Sequence, residues 1–206
     1  MNAVTTDTVA WADLPDREEA GSPNVLGAIA LAAATRALTE IGLDHIAAHE
    51  NELTRYAIGR LAEVPGLRIH GPTDTFGPTA KLGVIPFTID TIDHTLIAAV
   101  LGYEHGVGVR SGCFCAHPYI AHLLDLDQAA ALAWVERVRH GDKRGAPGMV
   151  RISFGCYNDT RDVDRTVAAL TQIVAGDVAG DYRADVDGSF HPAGYIAPAL
   201  YSLDAQ

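Results

Sequence analysis

The chain has 206 residues, with 26 acidic against 15 basic side chains and a formal net charge of −11. That balance argues against a nucleic-acid or anionic-membrane surface, since either needs clustered Lys and Arg. A hydrophobic content of 48% with 20% charged residues fits a globular chain able to bury a sizeable core. No basic-then-apolar leader is visible, and the apolar run from Val25 to Thr35 is too short to span a bilayer. Three cysteines are an odd count, which disfavours a closed disulfide framework. A reducing, cytoplasmic setting is the expectation.

Residues 1–20 lack periodicity and hold an acidic cluster, Asp13, Asp16, Glu18 and Glu19; an extended arm is expected there. Ser22-Pro23-Asn24 puts capping-type residues ahead of an apolar run. It predicts a helix from Val25 to Ile41 closed by Gly42. That helix is apolar almost all round as far as Ala34, a pattern that predicts burial on several sides. A second helix is predicted over Asp44–Val64, with Ile46, Leu53, Ala57, Leu61 and Val64 on one face and Pro65-Gly66 as its stop.

A short strand follows at Leu67–His70, then a Gly/Pro-rich loop over Gly71–Pro78 and a strand over Lys81–Ile89. Thr91–Glu104 reads as a helix, and Val107–Arg110 as a short strand. That strand delivers Ser111-Gly112-Cys113-Phe114-Cys115-Ala116-His117, which holds two of the three cysteines. Helices are predicted over Pro118–Leu124 and Gln128–Arg139, a polar turn over His140–Gly148 and a strand over Met149–Phe154. A turn at Cys156-Tyr157-Asn158 leads to a helix over Thr160–Val174. After Gly176 the composition suggests a tail that wraps the surface. There is no internal repeat. Strands and helices alternate without long crossover units, which predicts an α+β fold with a mostly antiparallel sheet covered by helices on one face.

Three readings fit the cysteine loop. One cysteine could be a nucleophile, its thiolate favoured by Arg110. Cys113, Cys115 and His117, with His105 or His122, could form a zinc site, although Cys-x-Cys matches zinc spacing weakly and the one further thiol, Cys156, is distant in sequence. Both thiols could simply pack, as buried cysteines commonly do. Arg151 stands alone in the apolar strand Val150-Arg151-Ile152 and should meet an anion. With so many acidic residues an internal ion pair is the commoner answer; a substrate carboxylate, gripped by the guanidinium fork, is the other. Ser22-Pro23-Asn24 is either a plain cap or a phosphate cradle at a helix N-terminus.

Taken together, these elements resemble the C-terminal half of a fold-type I, pyridoxal-phosphate-dependent class V aminotransferase of the cysteine desulfurase and selenocysteine lyase kind. Four segments carry the resemblance across residues 17–175: REEAGSPNVLGAIALAAA, AHENELTRYAIGRLAEVPGLRIHGP, GVGVRSGCFCAHPY and MVRISFGCYNDTRDVDRTVAAL. The resemblance implies an arm and interdomain linker helix over 1–42, a small C-terminal domain over 43–175 and a tail over 176–206. It also implies roles. Ser22 stands where the family's threonine reaches the cofactor phosphate of the neighbouring subunit. Arg151 aligns with the arginine that grips the substrate carboxylate, and Arg110 with the family's loop arginine. Cys115 is the better match to the desulfurase nucleophile, because Cys-Ala follows the family pattern. The Gly-Cys-Phe-Cys form is also similar to molybdenum cofactor sulfurases, so desulfuration, a related lyase step and transamination all stay open.

One departure stands out. The family's Schiff-base lysine lies upstream of the Ser-Pro-Asn motif, and here the lysines are Lys81 and Lys143, neither in such a segment. The expectation is a partial enzyme, inactive alone, that acts with a lysine-bearing large domain or partner chain. Its complete form would be a homodimer acting on an amino acid. A non-catalytic pseudo-enzyme or binding module is the alternative, and a zinc-binding domain a weaker one.

Overall fold

The computed structural model describes residues 3–18, 21–74 and 81–196. Glu19, residues 75–78 of the expected loop and residues 197–206 of the expected tail lie outside them. Two units result, Met1–Ile46 and Ala47–Gln206.

In the first unit the expected extended arm is instead a small hairpin of β1 (Ala3–Val4) and β2 (Val9–Ala10), followed by a 3-10 turn over Asp16–Glu18. Local polar groups explain the correction: Thr5 and Thr8 share a hydroxyl hydrogen bond of 2.8 Å and a backbone bond of 2.8 Å. Helix α1 spans Val25–Ile41, as the capping pattern predicts. Its cap is Asn24, whose side chain accepts from the Gly27 N–H at 2.9 Å. Gly42 ends it at φ 96, a conformation that glycine adopts without the Cβ penalty. Within this chain α1 is exposed. None of its residues is buried, and Leu26 and Leu31 are 81% and 69% exposed. An all-round apolar helix needs cover on several sides, and α1 has it on none.

Helix α2 covers Leu43–Leu61, and the second unit continues with β3 (Leu67–Ile69) and β4 (Val84–Ile89). Helix α3 (His94–His105) and β5 (Arg110–Gly112) lead to α4 (His117–Leu123) and α5 (Gln128–Arg139). Then come β6 (Met149–Ser153), α6 (Thr160–Val174) and a hairpin of β7 (Tyr182–Ala184) and β8 (Phe190–Pro192). The main sheet runs β3-β4-β6-β5 with every neighbour antiparallel.

Strand alternation sends Ile85, Phe87, Ile89 and Val150 into one core. There they meet Leu53, Ala57 and Leu61 of α2, Ile97, Val100 and Leu101 of α3, and Val163, Val167 and Leu170 of α6. The helical spacings of three and four put each of these sets on one face. Burying side chains of this kind contributes roughly 1.5–3 kcal/mol each, which sets the scaffold for whatever lies on the other sheet face.

Two boundaries differ from expectation for local reasons. Helix α3 starts three residues late because Thr91 has φ 64 and Asp93 caps the helix through the Thr95 N–H at 2.7 Å. The β5 pairing begins at Arg110 rather than Val107. Gly106 closes α3 at φ 62, and the Val107 N–H donates to Leu101 O at 2.9 Å, so residue 107 belongs to the helix cap.

The expected tail is, over residues 182–192, a hairpin against α3. The Glu104 carboxylate accepts from the Ala179 and Gly180 N–H groups and from the Tyr182 hydroxyl. Burial, then this carboxylate, push the Tyr182 hydroxyl up to about 12. No single helix is long and apolar enough to cross a membrane among the described residues.

Candidate functional site

Strands β5 and β6 build the site. Their register sets Arg110 directly opposite Arg151, Ser111 opposite Val150 and Gly112 opposite Met149. Val150 faces the core, so Arg151 belongs to the other sheet face. Directly opposed like charges destabilise an antiparallel pair. Yet among the described residues neither arginine forms an ion pair with any Asp or Glu. The Arg151 Nε is buried without a hydrogen-bond partner. The internal ion pair that composition favoured is therefore not made. Two guanidinium groups share a strand register, and no carboxylate among the described residues answers them.

The cysteine loop leaves β5 as a tight turn. The Ala116 N–H donates to Cys113 O at 2.8 Å, and the two residues between have positive φ, 51 for Phe114 and 61 for Cys115. Two consecutive positive φ values are the pattern of a type I′ turn, where Asn and Gly are the usual occupants. A residue with a Cβ costs about 1–2 kcal/mol at each such position, so the turn holds strain at its tip. The Phe114 ring lies 4.8 Å from the Arg151 guanidinium carbon.

The turn separates the two thiols. Cys115 is exposed, at the strained tip. Cys113 is half-buried and its thiol donates to Pro147 O at 3.0 Å. It lines an apolar cavity of about 220 Å³ with His117, Ile120, Leu126, Trp134 and Val135. Burial pushes the Cys113 thiol up, away from the thiolate. Cys113 thus fits the packing reading and Cys115 the reactive one. Iodoacetamide near neutral pH should label Cys115 at least about tenfold faster than Cys113, with peptide mapping as the readout. Because the Cys113 value is raised in the fold, its contribution to stability is present below the ordinary thiol value of about 8.5 and is lost as pH rises beyond it.

The remaining sequence candidates are spread out. Among the described residues no group of three or more His, Cys, Asp or Glu side chains gathers as a metal site would require, so the proposed zinc ligands are not brought together. Cys156 is exposed in the turn after β6. Ser22 lies in the unit Met1–Ile46, exposed, and its hydroxyl makes no hydrogen bond among the described residues because Asn24 takes the capping role. That leaves it open to an external anion. Of the lysines, Lys81 is 8% exposed and burial pushes its ammonium down, while Lys143 is exposed in the turn before β6.

Sequence reasoning missed Phe114, whose contact with Arg151 joins distant segments, and Gly148. A Cβ at Gly148 would fall 2.4 Å from His94 Nε2 and 2.9 Å from Gly112 Cα. The sequence signal for Gly148 was only its place in a Gly-rich turn.

Comparison with known proteins adds the following. The family described as aminotransferase class-V matches residues 1–166. A cysteine desulfurase of Salmonella agona is 36% identical over 168 residues, covering 82% of this chain and 34% of that relative. The chain thus spans about a third of the length of the curated relatives it matches. Among solved structures, a cysteine desulfurase from Thermococcus onnurineus aligns over 84% of this chain and 37% of its own, with a TM-score of 0.63 and 30% identity. The Escherichia coli cysteine desulfurase CsdA aligns over 84% of this chain and 36% of its own, with a TM-score of 0.62 and 26% identity.

Proposed function

Because the chain belongs to the class V aminotransferase family, we propose that it supplies the small-domain half of a pyridoxal-phosphate-dependent, cysteine-desulfurase-like site. In that site Arg151, with Arg110 beside it, binds the carboxylate of an amino acid. Cys115 is the thiol that accepts sulfur, and in the complete dimer the Ser22 hydroxyl reaches the cofactor phosphate of the neighbouring subunit. Bound pyridoxal phosphate would supply an electron sink for the substrate. The observation that carries the reading is the Arg110–Arg151 pair, opposed on one register, without an acidic partner among the described residues, two strand residues from the cysteine turn.

Each residue's part follows from its surroundings. A guanidinium fork binds a carboxylate bidentately and so fixes orientation as well as charge. Arg110 adds a second positive charge, which strengthens the hold on an anion. The tip position of Cys115 presents its sulfur to a bound substrate, while the Cys113 thiol stays occupied by Pro147. The three free cysteines support a reducing compartment such as the cytoplasm.

Completeness is the second part of the proposal. The apolar helix α1, with Leu26, Ile29 and Leu31 exposed, presents the surface of a missing neighbour. Exposed patches of this kind mark interaction sites. A lysine-bearing large domain, in another chain or in a longer form of this one, would cover it and supply the covalent hold on the cofactor. The complete enzyme would be a homodimer, with residues 1–42 as arm and linker, 43–175 as the small domain and 176–206 as its tail.

The test is chemical trapping. The isolated chain, incubated with pyridoxal phosphate and reduced with borohydride, should carry no stoichiometric pyridoxyl adduct on Lys81 or Lys143 by peptide mass spectrometry. A stoichiometric adduct on either lysine would overturn the partial-enzyme reading.

A further inference from the structure

One side chain joins the cysteine turn to the arginine strand, and neither carboxylate binding nor sulfur acceptance accounts for it. Phe114 holds a positive φ of 51, a conformation that an aromatic residue seldom adopts. A glycine there would relieve the strain. What the strained backbone does is aim the ring at Arg151, with the ring centroid 4.8 Å from the guanidinium carbon. An aromatic ring attracts a cation through its face, and arginine stacks on such faces. A face-stacked guanidinium keeps its N–H edge free, and that edge is where a carboxylate forks. The Arg151 Nε on that group has no partner in the protein. Cys115 follows Phe114 directly and shares its turn, which the Ala116–Cys113 hydrogen bond closes. A shift of this turn's backbone therefore moves the Phe114 ring and the Cys115 sulfur together.

We propose that Phe114 is a positioning residue that orients the Arg151 guanidinium for a carboxylate and ties occupancy of that site to the placement of the Cys115 thiol. This rests on the carboxylate reading of Arg151 given above. In this role Phe114 acts through Arg151 on one side and through the turn on the other. The contact is half-exposed, so its effect is modest. Its loss should weaken anion binding about two- to fivefold.

The experiment uses the full chain, isotope-labelled for side-chain arginine signals, with sodium propionate as the carboxylate probe. The Arg151 Nε–H resonance is followed through a titration, and the iodoacetamide rate at Cys115 is measured at each step. In the wild type both should change with the same midpoint. Phe114→Leu keeps apolar bulk but lacks the π face. It should weaken propionate binding about two- to fivefold and uncouple the Cys115 rate from propionate. Phe114→Trp should restore both. A Phe114→Leu variant that binds propionate as the wild type does, with Cys115 still responding, overturns the role of Phe114 and leaves the Arg151 reading intact. A wild-type Arg151 signal indifferent to propionate overturns the carboxylate reading, and this proposal with it.

Discussion

Replacing Arg151 by methionine is expected to remove carboxylate binding and, at the same time, to stabilise the chain. Methionine keeps the apolar stem as far as the position of Nε but has no guanidinium and no charge to satisfy. In the wild type the buried Arg151 Nε lacks a partner and Arg110 stands directly opposite. An unsatisfied buried polar group costs about 1–3 kcal/mol, and an opposed like charge adds up to roughly 1 kcal/mol. Loss of the Phe114 contact offsets about 0.5–1 kcal/mol of that. The net expectation is a gain of about 1 kcal/mol, read as a higher urea midpoint with an unchanged slope. Binding moves the other way. Removing one side of a charge-assisted pair costs roughly 2–5 kcal/mol, so propionate affinity should fall about thirtyfold or more. A structural arginine gives the opposite stability result: a clear loss on going to methionine would mean that Arg151 is serving the fold. An arginine kept at a cost to stability is the mark of a site.

Gly148→Ala is expected to destabilise the chain by about 1–3 kcal/mol and to displace the cysteine turn. The added Cβ would meet two groups that cannot both retreat. One is His94 Nε2, held by the Ala146 carbonyl at 2.9 Å in a side chain only 8% exposed. The other is Gly112 Cα, at 2.9 Å, which is backbone. Gly112 pairs with Met149 at the end of β5 and immediately precedes Cys113. Pushing it outward loosens the pairing that sets Arg110 opposite Arg151. A lower urea midpoint together with a changed Cys115 labelling rate is the expected pair of results. A variant with the wild-type midpoint and wild-type labelling would mean that the close approach relaxes freely and that Gly148 does not hold the turn.

Much of the scaffold was legible because local rules and tertiary demands agree there. Helix α6 has Val163, Val167 and Leu170 at helical spacing and a reciprocal cap between Asp159 and Asp162, so periodicity and end signals both point to one element. Strand β4 alternates Ile85, Phe87 and Ile89 inward, and both its existence and its inward face follow from that pattern. Arg151 was legible as an anomaly, since a lone cation in an apolar strand asks for an anion. Its answer was not legible. Composition favoured an acid, but which side chains share a face with Arg151 depends on strand register. The register depends in turn on how Gly106 and Val107 close α3 and delay β5 until Arg110.

The sequence by itself determined the elements between residues 25 and 174 apart from some boundaries, the family resemblance and the inventory of reactive groups: two neighbouring thiols, two arginines and a serine before a helix. Those follow from residue types at fixed spacings, which need no long-range contact to be read. The tertiary structure alone decided which of these groups face each other. It buried Cys113 against Pro147 and exposed Cys115 at a strained tip. It set Arg110 opposite Arg151 with no acid between, and laid Phe114 over the guanidinium. It also left the apolar helix α1 exposed, without the cover that its pattern calls for. The physical reason is common to all four. Burial, charge pairing and ring stacking are properties of pairs of segments distant in sequence, and only the packed chain brings such pairs together.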